Sequence, residues 1–247
     1  MPGTREGARA AAYPRAVIVA AVVSPHPPLL LRELTGREDV AAGLRATAVS
    51  ALTAATGSAP DVLVVVGGDD TGGAWDPGLP LDVRRFGTTG ARPSPGTPTL
   101  PLSLAVGRRL LDEAGWSGPT RMHAVARDAS AADVDALAAE LTRPGERAVL
   151  LVLGDGSARR GEKAPGYLDE RAFPYDDALA GALERGDADL LEHLDPGVAD
   201  ELMVLGRSAF AVLGAAVRRE GATPRARLLH RDDPFGVTYL VALWQLA

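Results

Sequence analysis

Four apolar runs of similar length recur along the chain. They cover residues 16–23, 61–67, 147–154 and 237–244, and the first three are almost continuously apolar instead of alternating with polar residues. Short continuous runs of this kind are typical of strands that are covered on both faces. We therefore predict four buried strands, and the pattern at 226–230 predicts a further, shorter one.

Helical patterns fill the segments between these runs. Several of them begin or end at residues that favour helix termini: Gly186 follows one, and Asp195-Pro196 opens another. Ser130 with Asp133 three residues later predicts a capping box. Because strands and helices alternate, we predict an α/β fold in a single domain, with a central mixed, mostly parallel sheet flanked by helices on both faces. The predicted helices cover 38–56, 101–114, 131–142, 174–185, 187–194 and 196–219.

The rest of the chain predicts loops and a tail. Residues 1–14 precede the first apolar run and predict a flexible N-terminal tail, which leaves 15–247 for the domain. Residues 71–100 are rich in Gly and Pro and predict an irregular loop with one short strand at 81–86, while residues 119–125 predict an edge strand. A long loop directly after a strand lies where α/β sheets bind their ligands.

Composition and charge narrow the function classes. The 247 residues carry a net charge of -6 with no basic block, which argues against nucleic acid or an anionic membrane as a partner. The chain has no cysteine, so disulfides, thiolate metal sites and a cysteine nucleophile are excluded. No apolar run approaches the length that spans a bilayer, and no cleavage site follows the first run, so we predict a cytoplasmic protein.

Polar clusters follow three of the predicted strands. They are Ser-Pro-His at 24–26, Gly-Gly-Asp-Asp at 67–70 and Gly-Asp-Gly-Ser-Ala-Arg-Arg at 154–160. The carboxyl ends of neighbouring strands in an open α/β sheet meet at one crevice, which predicts a shared site. The alternative is that each cluster is ordinary turn chemistry, because Gly, Asp and Ser commonly end strands. The residues predicted to share the site are His26, Asp69, Asp70, Asp155 and Ser157.

His26 has unusual neighbours. Pro25 and Pro27 flank it, and proline restricts the backbone on both sides, so the imidazole is held in place. A fixed ring suits a metal ligand or a general base. His230 follows the short predicted strand and could approach the same crevice from another strand end.

Several motifs together resemble a known family. The chain reads SPHPPLL at 24–30, GDGSARR at 154–160, APGYLDERAFPYD at 164–176 and DDPFGVTYLVALW at 232–244. In this order they resemble the subunit-B-like family of class III extradiol ring-cleaving dioxygenases, in particular an actinobacterial branch of it, from about residue 16 to the end. The resemblance implies one α/β domain and an Fe(II) ion held by two histidines and a carboxylate, with a further histidine as acid/base.

The resemblance transfers to this chain only in part. His26 matches the first metal-ligand histidine, but Asp69 and Asp70 lie where the second is expected, and Ala158 lies at the acid/base position. The resemblance therefore implies a degenerate metal site. The implied residues are His26, Asp69 and His230 for the metal, His26, Asp155 and Ser157 for catalysis, and Arg159, Asp70 and Tyr167 for the substrate.

Three functions stay open at this point. The first is Fe(II)-dependent oxidative cleavage of a small aromatic diol. The second is metal-free binding of a small molecule, or acid/base chemistry around His26 and Asp155, by a pseudoenzyme of the same fold. The third is a scaffold that binds a partner protein through the loop at 71–100. For the oligomeric state, the resemblance suggests either a homodimer or a monomer that binds a small molecule. Bound iron separates the first function from the others, and a metal-independent rise in melting temperature with ligand favours the second.

Overall fold

A mixed sheet forms the centre of the computed structural model, which describes residues 17–35, 38–86, 93–94, 96–142 and 145–246. The sheet has seven strands in the order β3-β4-β2-β5-β1-β7-β6. The four strands β4, β2, β5 and β1 run parallel, whereas β3, β7 and β6 each pair antiparallel with their neighbours. The strands are β1 (Val17–Ser24), β2 (Val62–Asp69), β3 (Gly73–Trp75), β4 (Thr120–Ala126), β5 (Arg147–Leu153), β6 (Arg225–Asp232) and β7 (Tyr239–Gln245).

Helices cover both faces of this sheet. Alternate residues of the central strands enter different cores: Val64 and Val66 join the core under α3, α4, α5 and α7, whereas Leu63 and Val65 join the core under α1 and α2. The predicted α/β class with helices on both faces is confirmed. The helices are α1 (Ala42–Thr56), α2 (Leu102–Glu113), α3 (Ala131–Leu141), α4 (Ala172–Arg185), α5 (Ala188–Glu192), α6 (Pro196–Glu201) and α7 (Arg207–Glu220), with 3-10 turns at Pro28–Leu30, Arg32–Leu34 and Val83–Phe86.

The predicted helix starts carry the expected caps. At α3, Ser130 Oγ accepts a hydrogen bond from Asp133 N at 3.2 Å, and the Asp133 carboxylate accepts one from Ser130 N at 2.9 Å. At α6, the Asp195 carboxylate accepts a hydrogen bond from Val198 N at 2.8 Å. The capping box and the Asp-Pro helix start are therefore both confirmed.

Three local predictions are wrong. The single helix predicted over 196–219 is two helices, because Met203 adopts a left-handed φ of 56° after α6 and the chain turns before α7 begins. The strand predicted at 81–86 is instead the 3-10 turn Val83–Phe86. The segment predicted at 119–125 is not an edge strand, because β3, which the sequence did not predict, pairs with it. The predicted tail at 1–14 lies outside the described residues.

The pairing of the strands brings several chain segments to one edge of the sheet. Ser24 at the end of β1 and Gly67 near the end of β2 both lie level with Leu153 at the end of β5. Strand β7 runs antiparallel to β1, so its first residue, Tyr239, lies at this same edge. This carboxyl edge holds all three polar clusters that the sequence predicted. None of the helices in the described part of the chain is long and apolar enough to cross a membrane.

Candidate functional site

His26 and Asp155 meet at the carboxyl edge, although 129 positions separate them. The backbone N–H of His26 donates to Asp155 Oδ1 at 2.9 Å, and the imidazole Nδ1 lies 3.7 Å from the same oxygen. His26 is 4% exposed and Asp155 is 6% exposed. The ring nitrogen Nδ1 is buried and has no hydrogen-bond partner among the described residues. The site therefore contains a buried imidazole beside a carboxylate that accepts a hydrogen bond from the backbone N–H of the same histidine, and its ring nitrogen Nδ1 is not hydrogen-bonded within the described residues.

Backbone contacts fix the position of the Asp155 carboxylate. Gly154 N donates to Ser24 O at 3.0 Å, which extends the pairing of β5 with β1 by one residue, and Gly206 N donates to Asp155 O at 3.1 Å. Gly154 and Gly206 touch: a Cβ added to either would lie 2.7 Å from the Cα of the other. Only glycine at both positions allows this approach of the chain before α7 to the end of β5.

Tyr239 is a third member of the site, which the sequence analysis missed. It is 4% exposed at the start of β7. Burial raises the pKa of the Tyr239 phenol, and the negative charge of Asp155 raises it further. The phenol therefore stays protonated at neutral pH and can donate a hydrogen bond. Its sequence signal was weak, because Tyr239 lies within an apolar run and tyrosine is common in buried strands.

Tyr239 also lines a cavity of about 360 Å³ between α1 and the β6–β7 turn. The lining is mixed: the polar side chains of Thr47, His230 and Asp232 lie among apolar ones, which include the exposed Val40 and Phe235. The predicted site residue His230 belongs to this cavity and not to the His26–Asp155 contact. The volume is in the range of a small-molecule site. The lining residues are Leu29, Val40, Ala41, Gly43, Leu44, Thr47, His230, Asp232, Pro234, Phe235 and Tyr239.

Ser157, predicted as catalytic, lies in a closed hydrogen-bond network. Its N–H and its Oγ donate to the Asp176 carboxylate at 2.9 Å and 2.5 Å, and Thr238 Oγ1 donates to the same carboxylate at 2.6 Å. Ser157 and Asp176 are both completely buried. Asp176 therefore holds the 154–158 turn against the start of β7, and the Ser157 hydroxyl is already bonded. A catalytic role for Ser157 stays a prediction.

Arg159 and Tyr167, predicted to bind substrate, lie in the segment after this turn. Arg159 Nη1 donates to Gly166 O at 2.6 Å, which ties its guanidinium to the backbone of its own loop. Tyr167 is 74% exposed and adopts a left-handed φ of 59°. Among the described residues, no hydrogen bond or ion pair joins either of them to His26, and their roles as substrate ligands stay predictions.

Arg160, the neighbour of Arg159, contacts the centre of the fold more closely. It pairs with Asp233, lies 3.6 Å from Asp176 Oδ2 through Nη1, and stacks over the Phe173 ring at 4.5 Å from the ring centroid. These contacts join the 154–160 segment to α4 and to the β6–β7 turn. Arg160 thus has a structural role, since it connects three segments that lie next to the site.

Asp69 and Asp70, at the end of β2, complete the predicted set. Asp69 is half-buried, whereas Asp70 is exposed and pairs with Arg127 Nε at 3.0 Å. Among the described residues, no group of three or more His, Cys, Asp or Glu side chains could hold a metal ion. His26, Asp69 and His230 are not joined in such a group in the described structure, and their roles as metal ligands stay predictions. Fe(II) stays a prediction of the resemblance, and we derive no reaction step through it.

Fold and site together define a class: an α/β protein with a buried histidine–carboxylate pair at the carboxyl edge of its sheet. Comparison with known proteins adds little to this. No family model matches the chain, and no curated protein matches it. Among solved structures, it is similar to the uncharacterized protein JW3007 from Escherichia coli K12, with a TM-score of 0.46 and 12% identity over 92% of this chain and 99% of that one.

Proposed function

We propose that the protein binds a small, mostly apolar molecule at the site formed by His26, Asp155 and Tyr239, and that the His26 ring acts on it without a metal. The observation that carries this proposal is the buried Nδ1 of His26, which lies beside the Asp155 carboxylate but has no hydrogen-bond partner in the part of the chain that the structure describes. Leaving such a group unpaired costs about 1–3 kcal/mol, so a ligand that bonds to it gains this free energy on binding.

The chemistry of the three side chains supports hydrogen bonding and proton transfer. A ring nitrogen of histidine can accept a hydrogen bond from a hydroxyl group or donate one to it, and it can move a proton near neutral pH. The Tyr239 phenol stays protonated and supplies a donor. The Asp155 carboxylate accepts a hydrogen bond from the backbone N–H of His26, which fixes the backbone at that residue, and it lies 3.7 Å from the ring nitrogen Nδ1. The arrangement suits a ligand that carries at least one hydroxyl group.

The adjacent cavity indicates the rest of the ligand. Its volume of about 360 Å³ suits a small ring compound, its lining combines the apolar Leu44 and Phe235 with polar side chains, and Tyr239 is part of this lining. Phenols and catechols combine a ring with hydroxyl groups, and the resemblance to extradiol dioxygenases implies an aromatic diol as substrate. These compounds are therefore the first probes of the site.

The test measures melting temperature with catechol and phenol in the presence of EDTA, for wild type, His26→Ala and His193→Ala. His193 is a matched control, because its ring is exposed and its Nδ1 already bonds to Asp189 O at 2.9 Å. At a ligand concentration about 100 times Kd, binding adds about 2.7 kcal/mol, which corresponds to a rise of about 5–10 °C. We expect this rise in wild type and in His193→Ala and its loss in His26→Ala.

Two other outcomes identify the remaining functions. In the first, wild type retains near-stoichiometric iron after anaerobic loading, His26→Ala does not, and wild type cleaves catechol in air. This result would replace the metal-free proposal by the dioxygenase function. No ligand response in any buffer, together with no retained iron, would reject both and leave the scaffold function. Metal content measured by mass spectrometry on the same samples separates these cases.

A further inference from the structure

A buried arginine lies next to the cavity that Tyr239 lines. Arg45 is the fourth residue of α1 and is 2% exposed, so its guanidinium is removed from water although it carries a full positive charge. Its counter-charge is Asp39, whose partly exposed carboxylate accepts hydrogen bonds from Nη1 and Nη2. Arginine is almost never buried so completely unless it is paired, and this pair is the condition for its position.

The same guanidinium bonds to the backbone of the segment that follows His26. Its Nε donates to Leu30 O at 3.0 Å, and its Nη2 donates to Leu29 O at 3.0 Å. Both carbonyl groups belong to the 3-10 turn Pro28–Leu30, which begins two residues after His26. One side chain therefore joins three parts of the chain: the turn after His26, the start of α1 and the residues just before that helix.

These three parts form much of the wall of the cavity of about 360 Å³ described above. Arg45 does not line the cavity itself, but the segments that it connects contribute Leu29, Val40, Ala41, Gly43 and Leu44 to the lining. Leu29 O accepts a hydrogen bond from Arg45, and Val40 directly follows Asp39. A change at the guanidinium would therefore release the wall on both sides.

Two exposed apolar side chains border this cavity. Val40 is 65% exposed and Phe235 is 48% exposed, and each lines the cavity from a different segment of the chain. The other large apolar side chains that are exposed in the described part of the chain are Tyr167 and Leu168, which do not line it. Exposed apolar surface around a cavity is typical of a ligand site, because the ligand removes this surface from water.

The ion pair is better explained by geometry than by stability. Removing two charges from water offsets most of their attraction, so a buried pair is seldom more stable than an apolar pair of the same size. A guanidinium, however, is planar with a rigid fork of donors, which holds its acceptors in one arrangement. Its hydrogen bonds lower the pKa of Asp39 from the ordinary value, so the pair stays ionised at neutral pH. Arg45 therefore fixes the shape of the cavity wall.

We propose that Arg45 is a positioning residue which, together with Asp39, makes the site selective for compounds with a single ring and no bulky substituent. It fixes the wall that carries Leu29 and Val40, so a small ring contacts this wall and a bulkier compound does not fit. The bound ligand covers Val40 and Phe235. This selectivity rests on the ligand binding proposed for His26, to which it adds the size of the ligand and the residues that set it.

The experiment titrates catechol and tert-butylcatechol by calorimetry in the presence of EDTA into intact wild type, into Arg45→Met combined with Asp39→Asn, and into Val40→Ala. The double substitution removes both charges, so it leaves no unpaired charge buried. The control combines Arg219→Met with Asp135→Asn, which removes an ion pair between α7 and α3 at the surface. We expect wild type and the control to bind catechol about tenfold more tightly than tert-butylcatechol.

In the Arg45 double variant and in Val40→Ala, this ratio of affinities should fall about tenfold, because catechol loses contacts with the wall while the larger compound gains room. The ratio, measured where the variants are folded, reports the shape of the site, which a loss of stability alone does not alter. Leu168→Ala should keep the ratio of wild type, because Leu168 is exposed away from the cavity.

Different results would overturn the selectivity and the ligand binding on which it rests. An unchanged ratio in the double variant, or equal affinities of wild type for the two compounds, would overturn the selectivity alone. If the double variant does not fold, the ratio in Val40→Ala decides, since Val40 lies at the surface. Failure of wild type to bind either compound would reject the ligand proposed for His26, and the selectivity with it.

Discussion

The carboxylate of Asp176 illustrates how one buried side chain holds a turn. It accepts three hydrogen bonds, from Ser157 N, Ser157 Oγ and Thr238 Oγ1, and has no exposed surface. These bonds join the turn after β5 to the segment before β7, and the same two segments carry Asp155 and Tyr239. The geometry of the candidate site therefore depends on a residue that does not line it.

Replacing Asp176 by alanine tests this dependence. Three buried donors lose their acceptor, so Asp176→Ala should lower the free energy of unfolding by about 3 kcal/mol or more, and the melting temperature by about 10 °C. Asp177→Ala is the control, since Asp177 is exposed and pairs only at the surface with Arg231. Calorimetric melting of both variants checks the prediction, and equal melting temperatures for the two would contradict it.

Some residues of the candidate site could be predicted from the sequence, and others could not. His26 and Asp155 were predictable because each follows an apolar strand at its carboxyl end, and they do lie together. Asp176 and Tyr239 were not, because nothing in the local pattern distinguishes a buried carboxylate on a helix or a polar-tipped residue in an apolar strand. Their positions follow from long-range packing, which a local pattern does not record.

At the scale of elements, the contact between the end of β5 and the start of α7 depends on two glycines. A methyl group on Gly206 would lie 2.5 Å from Phe210 Cε2 and 2.7 Å from Gly154 Cα. Gly206→Ala should therefore force the chain before α7 away from β5 and destabilise the protein by about 1–3 kcal/mol. Because Gly206 N bonds to Asp155 O, the same change should weaken ligand binding at His26.

Gly43 provides the opposite case, since it lies in the first turn of α1 and a Cβ there would meet nothing within 4 Å. Gly43→Ala should raise the melting temperature slightly, because alanine favours the helix. Denaturant unfolding of both variants gives the two free energies. If both variants changed the free energy of unfolding in the same direction, the close approach of β5 and α7 would contribute little to stability.

Elements with a strong local signal were predicted from sequence, and those set by pairing were not. The buried strands and the capped helix α3 follow from apolar runs and from Ser130 with Asp133. The three-residue strand β3 has no apolar pattern and exists because Gly73–Trp75 pairs with β4. The break between α6 and α7 depends on the left-handed backbone of Met203. The sequence did not predict it, because position 203 is neither Gly nor Pro, the residues that usually end a helix.

At the scale of the whole molecule, the buried Tyr239 and the half-buried Tyr175 make stability depend on alkaline pH. Burial raises the pKa of Tyr175 and of Tyr239, and nearby carboxylates, Asp176 and Asp155, raise both further. An unfolded tyrosine loses its proton near pH 10. Above that pH the unfolded chain binds fewer protons than the native protein, so the free energy of unfolding falls as the pH rises. Below about pH 9 both tyrosines are protonated in the folded and in the unfolded chain, so they do not change the free energy of unfolding with pH.

Phenylalanine substitutions check this pH dependence. Tyr175→Phe and Tyr239→Phe should each make the fall in melting temperature between about pH 9 and 11 less steep than in wild type. Tyr167→Phe is the control, because Tyr167 is exposed, and its profile should follow that of wild type. Melting curves across this pH range measure the effect, and parallel profiles for all four proteins would refute it.

The sheet order was the part of the whole fold that the sequence left open. Class and layers follow from the alternation of strands and helices, but the order β3-β4-β2-β5-β1-β7-β6 depends on which strands pair across long chain distances. Strand β7, the last along the chain, pairs with the first, and this pairing brings Tyr239 to the end of β1 beside Asp155. The site is thus a product of topology as much as of motifs.

The two outermost strands of the sheet limit how copies of the protein can associate. β3 has only three residues, and β6 reads RARLLHRD, with Arg225, Arg227 and Arg231 exposed. A short strand and a row of charges both disfavour the addition of a further strand from another molecule, which is a common first step of aggregation. The predicted homodimer, if it forms, would therefore associate through helical surfaces, and concentrated solutions should resist fibril growth by strand addition.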